Sequence, residues 1–143
     1  MRPSEKVDFS KFGNLFQQNL AKLILLDRGY SDQIGEVVEV DYFETKCLQS
    51  FIKLIYDYKE KYKVHPSLSL MASLINTEIG EEDELIVKQL RDFIVRIHAD
   101  LDVQGKQYIK DTALDFCRKQ KLKKAIIKSV NLLENSSFDE ISD

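Results

Sequence analysis

DYFETKCLQSFIKLIYDYKEKYKVHPSLSLMASLI, residues 41–75, is the stretch that decides the fold. Within it, apolar side chains recur at spacings of three and four residues, which is the period of one face of an α-helix. The members of this stripe are Phe43, Cys47, Phe51, Leu54, Ile55, Tyr58 and Tyr62. The pattern predicts a long amphipathic helix that buries one face, so the rest of the chain must supply helices to cover it.

The ends of this central helix are marked by capping residues. Asp41 followed by Glu44 is typical of a capping box and predicts the start. The helix is expected to end near Lys63, because Pro66 cannot continue it and disfavours helical geometry in the residue before it. Ser67 predicts the cap of a shorter helix, which carries Leu70, Met71, Leu74 and Ile75.

The same reasoning predicts helices on both sides. Asp8 or Ser10 caps a first helix, with Phe12 and Phe16 on its apolar stripe, and Gly29 is its C-cap. Ser31 opens a short second helix. After a turn at 76–80, the acidic residues 81–84 open a helix that ends at 98–101, and a long helix spans 107–133. The predicted fold class is all-α, with a compact head of about five helices (1–101) and a helical hairpin (102–143), of which the projecting long helix is the first arm.

Composition limits the class of protein. The chain has 143 residues, of which 43% are hydrophobic and 31% charged, as in globular rather than disordered proteins. No apolar run approaches the roughly 18 residues needed to cross a bilayer, and no secretory signal is visible. Cys47 and Cys117 are interpreted as reduced, buried thiols, so we expect a cytoplasmic protein. The net charge of −3 gives no general attraction to nucleic acid.

The search for catalytic chemistry is negative. Gly105-Lys106 lacks the rest of a phosphate-binding loop, and His65 and His98 share no metal-ligand spacing with the cysteines. His65 is interpreted as a turn residue and His98 as a residue that suits a helix end. The sequence therefore predicts no catalytic residue, no metal site and no cofactor in this chain, and we expect it not to be an enzyme by itself.

The long helix carries two apolar stripes and a basic cluster. Ile109, Ala113 and Phe116 form the first stripe, and the second lies on a rotated face. The second stripe is the predicted oligomer interface, and it consists of Leu122, Ile126, Val130 and Leu133. The basic residues are a possible contact strip for nucleic acid or an acidic partner, although a solvated helix surface is the simpler interpretation. They are Arg118, Lys119, Lys121, Lys123, Lys124 and Lys128.

The last residues predict a further helix. Asn135 and Ser136 are expected to break the long helix, and Ser137 with Glu140 forms an S-x-x-E capping box. A helix beginning at Phe138 would be the second arm of a helical hairpin, truncated after Asp143. We therefore expect an excised piece of a longer protein, with a free-standing relative as the other possibility.

The order of these elements resembles the N-terminal domain of replicative DNA helicases of the DnaB type, including phage versions. Residues 41–44 resemble the start of that domain's long helix, 58–66 (YKEKYKVHP) its end, and 67–75 the family's short helix. Residues 23–27 resemble the end of its first helix. The stretch 108–125 (YIKDTALDFCRKQKLKKA) is similar to the first hairpin arm, and 137–143 to the start of the second. The resemblance covers the chain from Phe9 onward and lies in the order of the motifs.

The resemblance implies a non-catalytic role for this chain. In such helicases this domain precedes an ATPase motor, dimerises through its hairpin, forms a collar above the hexameric motor ring and helps to dock primase. ATP and magnesium belong to the motor, which this sequence lacks. The implied partners are further copies of the chain and primase or another replisome protein, with DNA bound weakly or indirectly, in a bacterial or phage-infected cell.

Two other functions stay open. A helical DNA-binding regulator could use the helix after Pro66 for recognition, although SLSLMASLI offers no Arg, Lys, Asn or Gln to read base edges before Asn76. A free-standing adaptor that binds a replication protein is the third possibility. Gel retardation of a short duplex would favour the regulator, and mixing with helicase or primase would separate the other two.

Overall fold

The structure, a computed structural model, describes residues 7–80 and 83–142, with side chains described as far as residue 136. Within these ranges the chain is helical and contains no strand, which confirms the predicted all-α class. Five helices form a compact head, and a long sixth helix follows. The helices are α1 (Asn14–Leu26), α2 (Arg28–Ile34), α3 (Lys46–Tyr62), α4 (Leu68–Glu78), α5 (Glu84–Ala99) and α6 (Lys106–Ser142). Two short 3-10 turns, Phe9–Phe12 and Val40–Tyr42, precede α1 and α3.

The start of the central helix α3 differs from the prediction. Its N-cap is Thr45, whose hydroxyl accepts a hydrogen bond of 3.2 Å from the amide of Leu48, whereas Asp41 lies in a 3-10 turn. The reason is a contact with α1. The side chain of Gln17 accepts from the amide of Glu44 at 2.9 Å and donates to its carboxylate at 2.7 Å. This tertiary pairing occupies the Glu44 carboxylate that the capping box would have used.

The other end of α3 and the start of α4 follow the prediction. Lys63 ends α3 in the left-handed conformation, with φ of 59°. Its backbone amide donates a hydrogen bond to the carbonyl of Lys59. Ser67 caps α4, because its hydroxyl accepts a hydrogen bond of 3.1 Å from the amide of Leu70. At the other end α4 runs to Glu78, so the predicted turn at 76–80 begins three residues too early.

The first predicted helix is divided in two. Gly13 has φ of 89°, which favours glycine, and it separates the 3-10 turn capped by Asp8 from α1. At the end of α1, Asp27 caps α2 by accepting a hydrogen bond of 3.0 Å from the amide of Tyr30. Gly29 therefore lies inside α2 and is not a C-cap, and α2 begins at Arg28 instead of Ser31.

The core is centred on α3, as predicted, but one set of partners differs. Phe51 is fully buried and packs edge-on against Phe93 of α5, with 4.9 Å between ring centroids. The sequence also predicts that Phe12 or Phe16, on the apolar stripe of the first predicted helix, covers Phe51. Their rings instead join a second aromatic cluster where α1 meets α6, and this cluster includes Phe9 and Phe116.

The helix α5 begins at Glu84 and ends at Ala99, within the range predicted for its end. Glu81 and Glu82, which were expected in its first turn, lie outside the described residues. Leu90, Phe93 and Ile97 are buried and form the apolar face of α5.

The predicted break in the long helix is wrong. The backbone is helical from Lys106 to Ser142 and passes through Asn135 and Ser136 without interruption. Asn and Ser are less favourable than Ala in a helix interior by only about 0.5 kcal/mol each, so two of them do not by themselves end a helix. Phe138 consequently lies inside α6 and does not open a second arm, while the side chains of the expected capping box at Ser137 and Glu140 lie outside the described part. The division into domains 1–101 and 102–143 stays a prediction.

Candidate oligomerisation interface

The first part of α6 belongs to the core of the molecule. Ile109, Ala113, Phe116 and Cys117 are buried and form the inner stripe, which faces the head. The Phe116 ring lies 5.1 Å from Phe9 and 5.3 Å from Tyr42 between centroids. The beginning of the long helix is therefore held by apolar and aromatic packing.

Polar bonds reinforce this attachment. The Lys110 ammonium pairs with the Asp27 carboxylate, and the Tyr30 hydroxyl donates a hydrogen bond of 2.8 Å to the backbone carbonyl of Lys110. The bond from Lys110 holds the pKa of Asp27 below its usual value. Further along, the ammonium of Lys124 lies 2.6 Å from the Glu39 carboxylate, which lowers the pKa of Glu39 and raises that of Lys124.

The predicted interface residues lie beyond the inner stripe and are exposed. Leu122, Ile126, Val130 and Leu133 form the outer stripe, and their exposed fractions are 60%, 54%, 47% and 68%. Because a helix turns by about 100° per residue, the outer stripe is rotated from the inner stripe by roughly 130°. The outer stripe therefore faces away from the head, and the described residues leave it uncovered. Its role as an interface stays a prediction.

Two exposed apolar residues of the same segment lie off the outer stripe, one on either flank, and were missed by the sequence reasoning. Ile127 and Leu132 are 51% and 58% exposed. They do not share the spacing of the stripe, so a search for one helical period passes over them. Together with the stripe they place six large apolar side chains on an exposed segment of twelve residues, from Leu122 to Leu133. Monomeric proteins rarely leave such a cluster in water without a functional reason.

The six basic residues of the possible contact strip are divided among different surroundings. Lys124 pairs with Glu39, and the Lys121 ammonium donates a hydrogen bond of 3.4 Å to the carbonyl of Glu36. Lys119 pairs with Asp115 at 2.9 Å along α6 itself. The side chains of Arg118, Lys123 and Lys128 are exposed. Two of these six basic residues, Lys121 and Lys124, thus help to attach α6 to the head, and whether the others contact a partner stays a prediction.

The remaining candidates for chemistry occupy structural positions. A ring nitrogen of His65 lies 2.6 Å from the carbonyl oxygen of Leu25, which ties the loop after α3 to α1. His98 is exposed in the last turn of α5. Burial raises the pKa of the half-buried Cys47 and raises that of the buried Cys117 to about 12. Thiols with a raised pKa carry little of the reactive thiolate at neutral pH.

Residues 7–80 and 83–136 contain no metal cluster. No group of three or more His, Cys, Asp or Glu side chains there is placed to hold a metal ion. An open groove of about 390 Å³ lies between α3 and α4 and is lined partly by Tyr58 and Tyr62, whose ring centroids are 4.7 Å apart. Among the helices of the described ranges, none combines the length and apolar character required to traverse a lipid bilayer.

Comparison with known proteins adds no family to this description. No protein-family model, curated protein sequence or solved structure matches the chain.

Proposed function

We propose that this chain is a non-catalytic oligomerisation and docking domain, of the kind that forms the N-terminal collar of DnaB-type replicative helicases. In this proposal the chain self-associates through the outer stripe of α6 and presents its head to primase or another replisome protein. The observation that supports self-association is the exposure of four large apolar side chains on the side of α6 that faces away from the head. The docking role rests on the resemblance in the order of the sequence motifs.

The size of the outer stripe favours reversible association. Burying a leucine or isoleucine side chain fully is worth roughly 1.5–3 kcal/mol, and association itself costs several kcal/mol in lost freedom of motion. The four side chains are already about half-covered, so each gains only part of that amount. We therefore expect a dimer with a dissociation constant in the micromolar range. Any second contact that links the two copies would strengthen their association.

The structure offers less support for a DNA-binding regulator. The helix α4, which follows Pro66, contains no lysine or arginine. Two lysines of α6, Lys121 and Lys124, are engaged with the head instead of projecting as a continuous basic surface. A free-standing adaptor would use the same exposed stripe, but it would bind a replication protein there instead of a second copy of the chain.

Analytical ultracentrifugation tests the proposal. We expect the wild-type chain to sediment as a concentration-dependent mixture of monomer and dimer, and Ile126→Asp with Val130→Asp to sediment as a folded monomer. The matched control is Ala125→Asp with Asn131→Asp, which adds the same charge at exposed positions of α6 away from the outer stripe and should leave association nearly unchanged.

Two results would contradict the proposal. A wild-type chain that stays monomeric at several hundred micromolar would exclude the outer stripe as a self-association surface. Retardation of a short DNA duplex by the monomeric double variant would favour the regulator instead. Far-ultraviolet circular dichroism of both variants would show that the fold is retained.

A further inference from the structure

Charge is segregated along α6 in a way that the proposed function does not require. From Arg118 to Lys128 the sequence carries six basic residues and no acidic one. From Ser129 to Ser142 it carries three acidic residues and no basic one. The outer stripe spans the boundary between these two segments, so a basic end and an acidic end flank its apolar centre.

Two exposed charges mark the same edge of the outer stripe. Lys123 and Glu134 are eleven residues apart, which is close to three turns, so they lie within about 20° of each other around the helix axis. Both are exposed, and among the described residues neither forms a hydrogen bond or an ion pair. Each is therefore available to an opposite charge on another molecule.

We infer that the occupant of the outer stripe is a second copy of this chain whose α6 runs antiparallel to the first. This inference rests on the proposed function and specifies its partner. In an antiparallel pair related by a two-fold axis, the two helices run in opposite directions. The edge of the stripe on one helix then lies against the same edge on the partner helix. Placing Leu122 opposite Leu133 of the partner subunit sets Lys123 within side-chain reach of Glu134 of the partner subunit, and the pair occurs twice.

The separation of basic and acidic residues along α6 makes the parallel arrangement unfavourable. Two parallel copies would hold equal residues at the same level, so the basic segments Arg118–Lys128 would lie side by side, as would the acidic segments. Like charges along a helix pair disfavour that orientation, and opposite charges select the alternative. The apolar stripe thus supplies the attraction, and the charge segregation selects the direction.

Charge reversal at one edge provides the first test. Lys123→Glu and Glu134→Lys should each weaken dimerisation by several-fold, up to roughly thirtyfold at low salt, because each variant replaces two favourable pairs with two repulsive ones. The double variant Lys123→Glu with Glu134→Lys should restore the affinity of the wild type. In a parallel pair, residue 123 lies level with residue 123 of the other copy and residue 134 with residue 134, so the two charges do not meet. The double variant would then fail to restore the affinity, and that result would overturn the inference.

Cysteine crosslinking gives an independent readout. In the antiparallel arrangement, an equimolar mixture of Leu122→Cys and Leu133→Cys chains should form a mixed disulfide on mild oxidation. Neither variant alone should crosslink, because its two cysteines would be about 16 Å apart along the axis, beyond the reach of a disulfide. The wild type, with Cys47 and Cys117, controls for native thiols. A disulfide within each single variant overturns the antiparallel pairing but leaves self-association standing, whereas a monomeric wild type by sedimentation overturns both.

Discussion

The ammonium of Lys124 lies 2.6 Å from the carboxylate of Glu39, and this is the most C-terminal bond between α6 and the head among the described residues. Lys124 also lies over the Tyr42 ring, 5.6 Å from its centroid. From Ala125 to Ser136 every side chain of α6 is exposed. The Lys124–Glu39 pair therefore marks where the helix stops stabilising its own head and becomes available to a partner.

Replacement of Phe51 tests the placement of the core. Because Phe51 is fully buried against Phe93, Phe51→Ala should lower the free energy of unfolding by about 3–5 kcal/mol. That is a large part of the roughly 5–15 kcal/mol that stabilises a domain. Urea denaturation would measure the loss. Tyr62→Ala, at a position that is 53% exposed, is the control and should change stability little; equal effects at the two positions would show that α3 is oriented differently.

The two stripes of α6 should respond differently to truncation. Phe116→Ala removes a buried ring with several aromatic neighbours and should cost about 3–5 kcal/mol of stability. Ile126→Ala should change the stability of the dilute monomer by less than about 0.5 kcal/mol, because Ile126 is exposed there. Thermal unfolding at a concentration well below the expected dissociation constant, where dimers are scarce, would compare them. A large loss in Ile126→Ala under those conditions would place the outer stripe in the core.

Acid should weaken the attachment of α6 through Asp27 and Glu39. Both carboxylates have a pKa lowered in the folded chain, by Lys110 and Lys124 respectively, from ordinary values of 3.8 and 4.5. Their stabilisation is fully present above those ordinary values and is lost as the pH falls through the lowered folded pKa. Each contribution is about 1 kcal/mol, since both pairs are partly screened by water.

The measurement is stability against pH for wild type and Asp27→Asn. Asparagine keeps the cap of α2 but cannot ionise, so this variant should be less stable than wild type at pH 7 and approach it near pH 3. Asp115→Asn removes the carboxylate of an exposed pair and serves as the control. A constant difference between Asp27→Asn and wild type from pH 7 to pH 3 would show that the ion pair does not contribute.

The chain should neither bind nor hydrolyse ATP. The reason is the missing phosphate-binding loop, since Gly105-Lys106 has neither the required preceding glycine nor the following Ser or Thr. Phosphate release with magnesium and fluorescence anisotropy of a labelled nucleotide would check the two parts separately. Turnover that co-purifies with the chain and disappears in a destabilised variant such as Phe51→Ala would refute the prediction.

Local sequence signals predicted several helix boundaries correctly, and long-range contacts account for some of the errors. Ser67 and Pro66 act on their neighbours, so the passage from α3 to α4 could be inferred without knowing the fold. The start of α3 could not be inferred, because Gln17, which is 27 residues from Glu44, binds the groups that a capping box would need. The division at Gly13 was likewise invisible, since an apolar stripe continues on both sides of it.

The candidate interface shows the same contrast between local sequence signals and long-range contacts. The spacing of Leu122, Ile126, Val130 and Leu133 predicted one shared helix face, because the helical period depends on the backbone alone. The sequence by itself determined the all-α class, the amphipathic face of α3 and the presence of two rotated stripes on α6. Only the tertiary structure decided which contacts cover the first stripe. The contacts of Phe116 with Phe9 and of Lys124 with Glu39 dock one side of α6 on the head, and those partners are more than eighty residues away in the chain. Pairings over such distances depend on how all the helices pack together, which no local pattern contains.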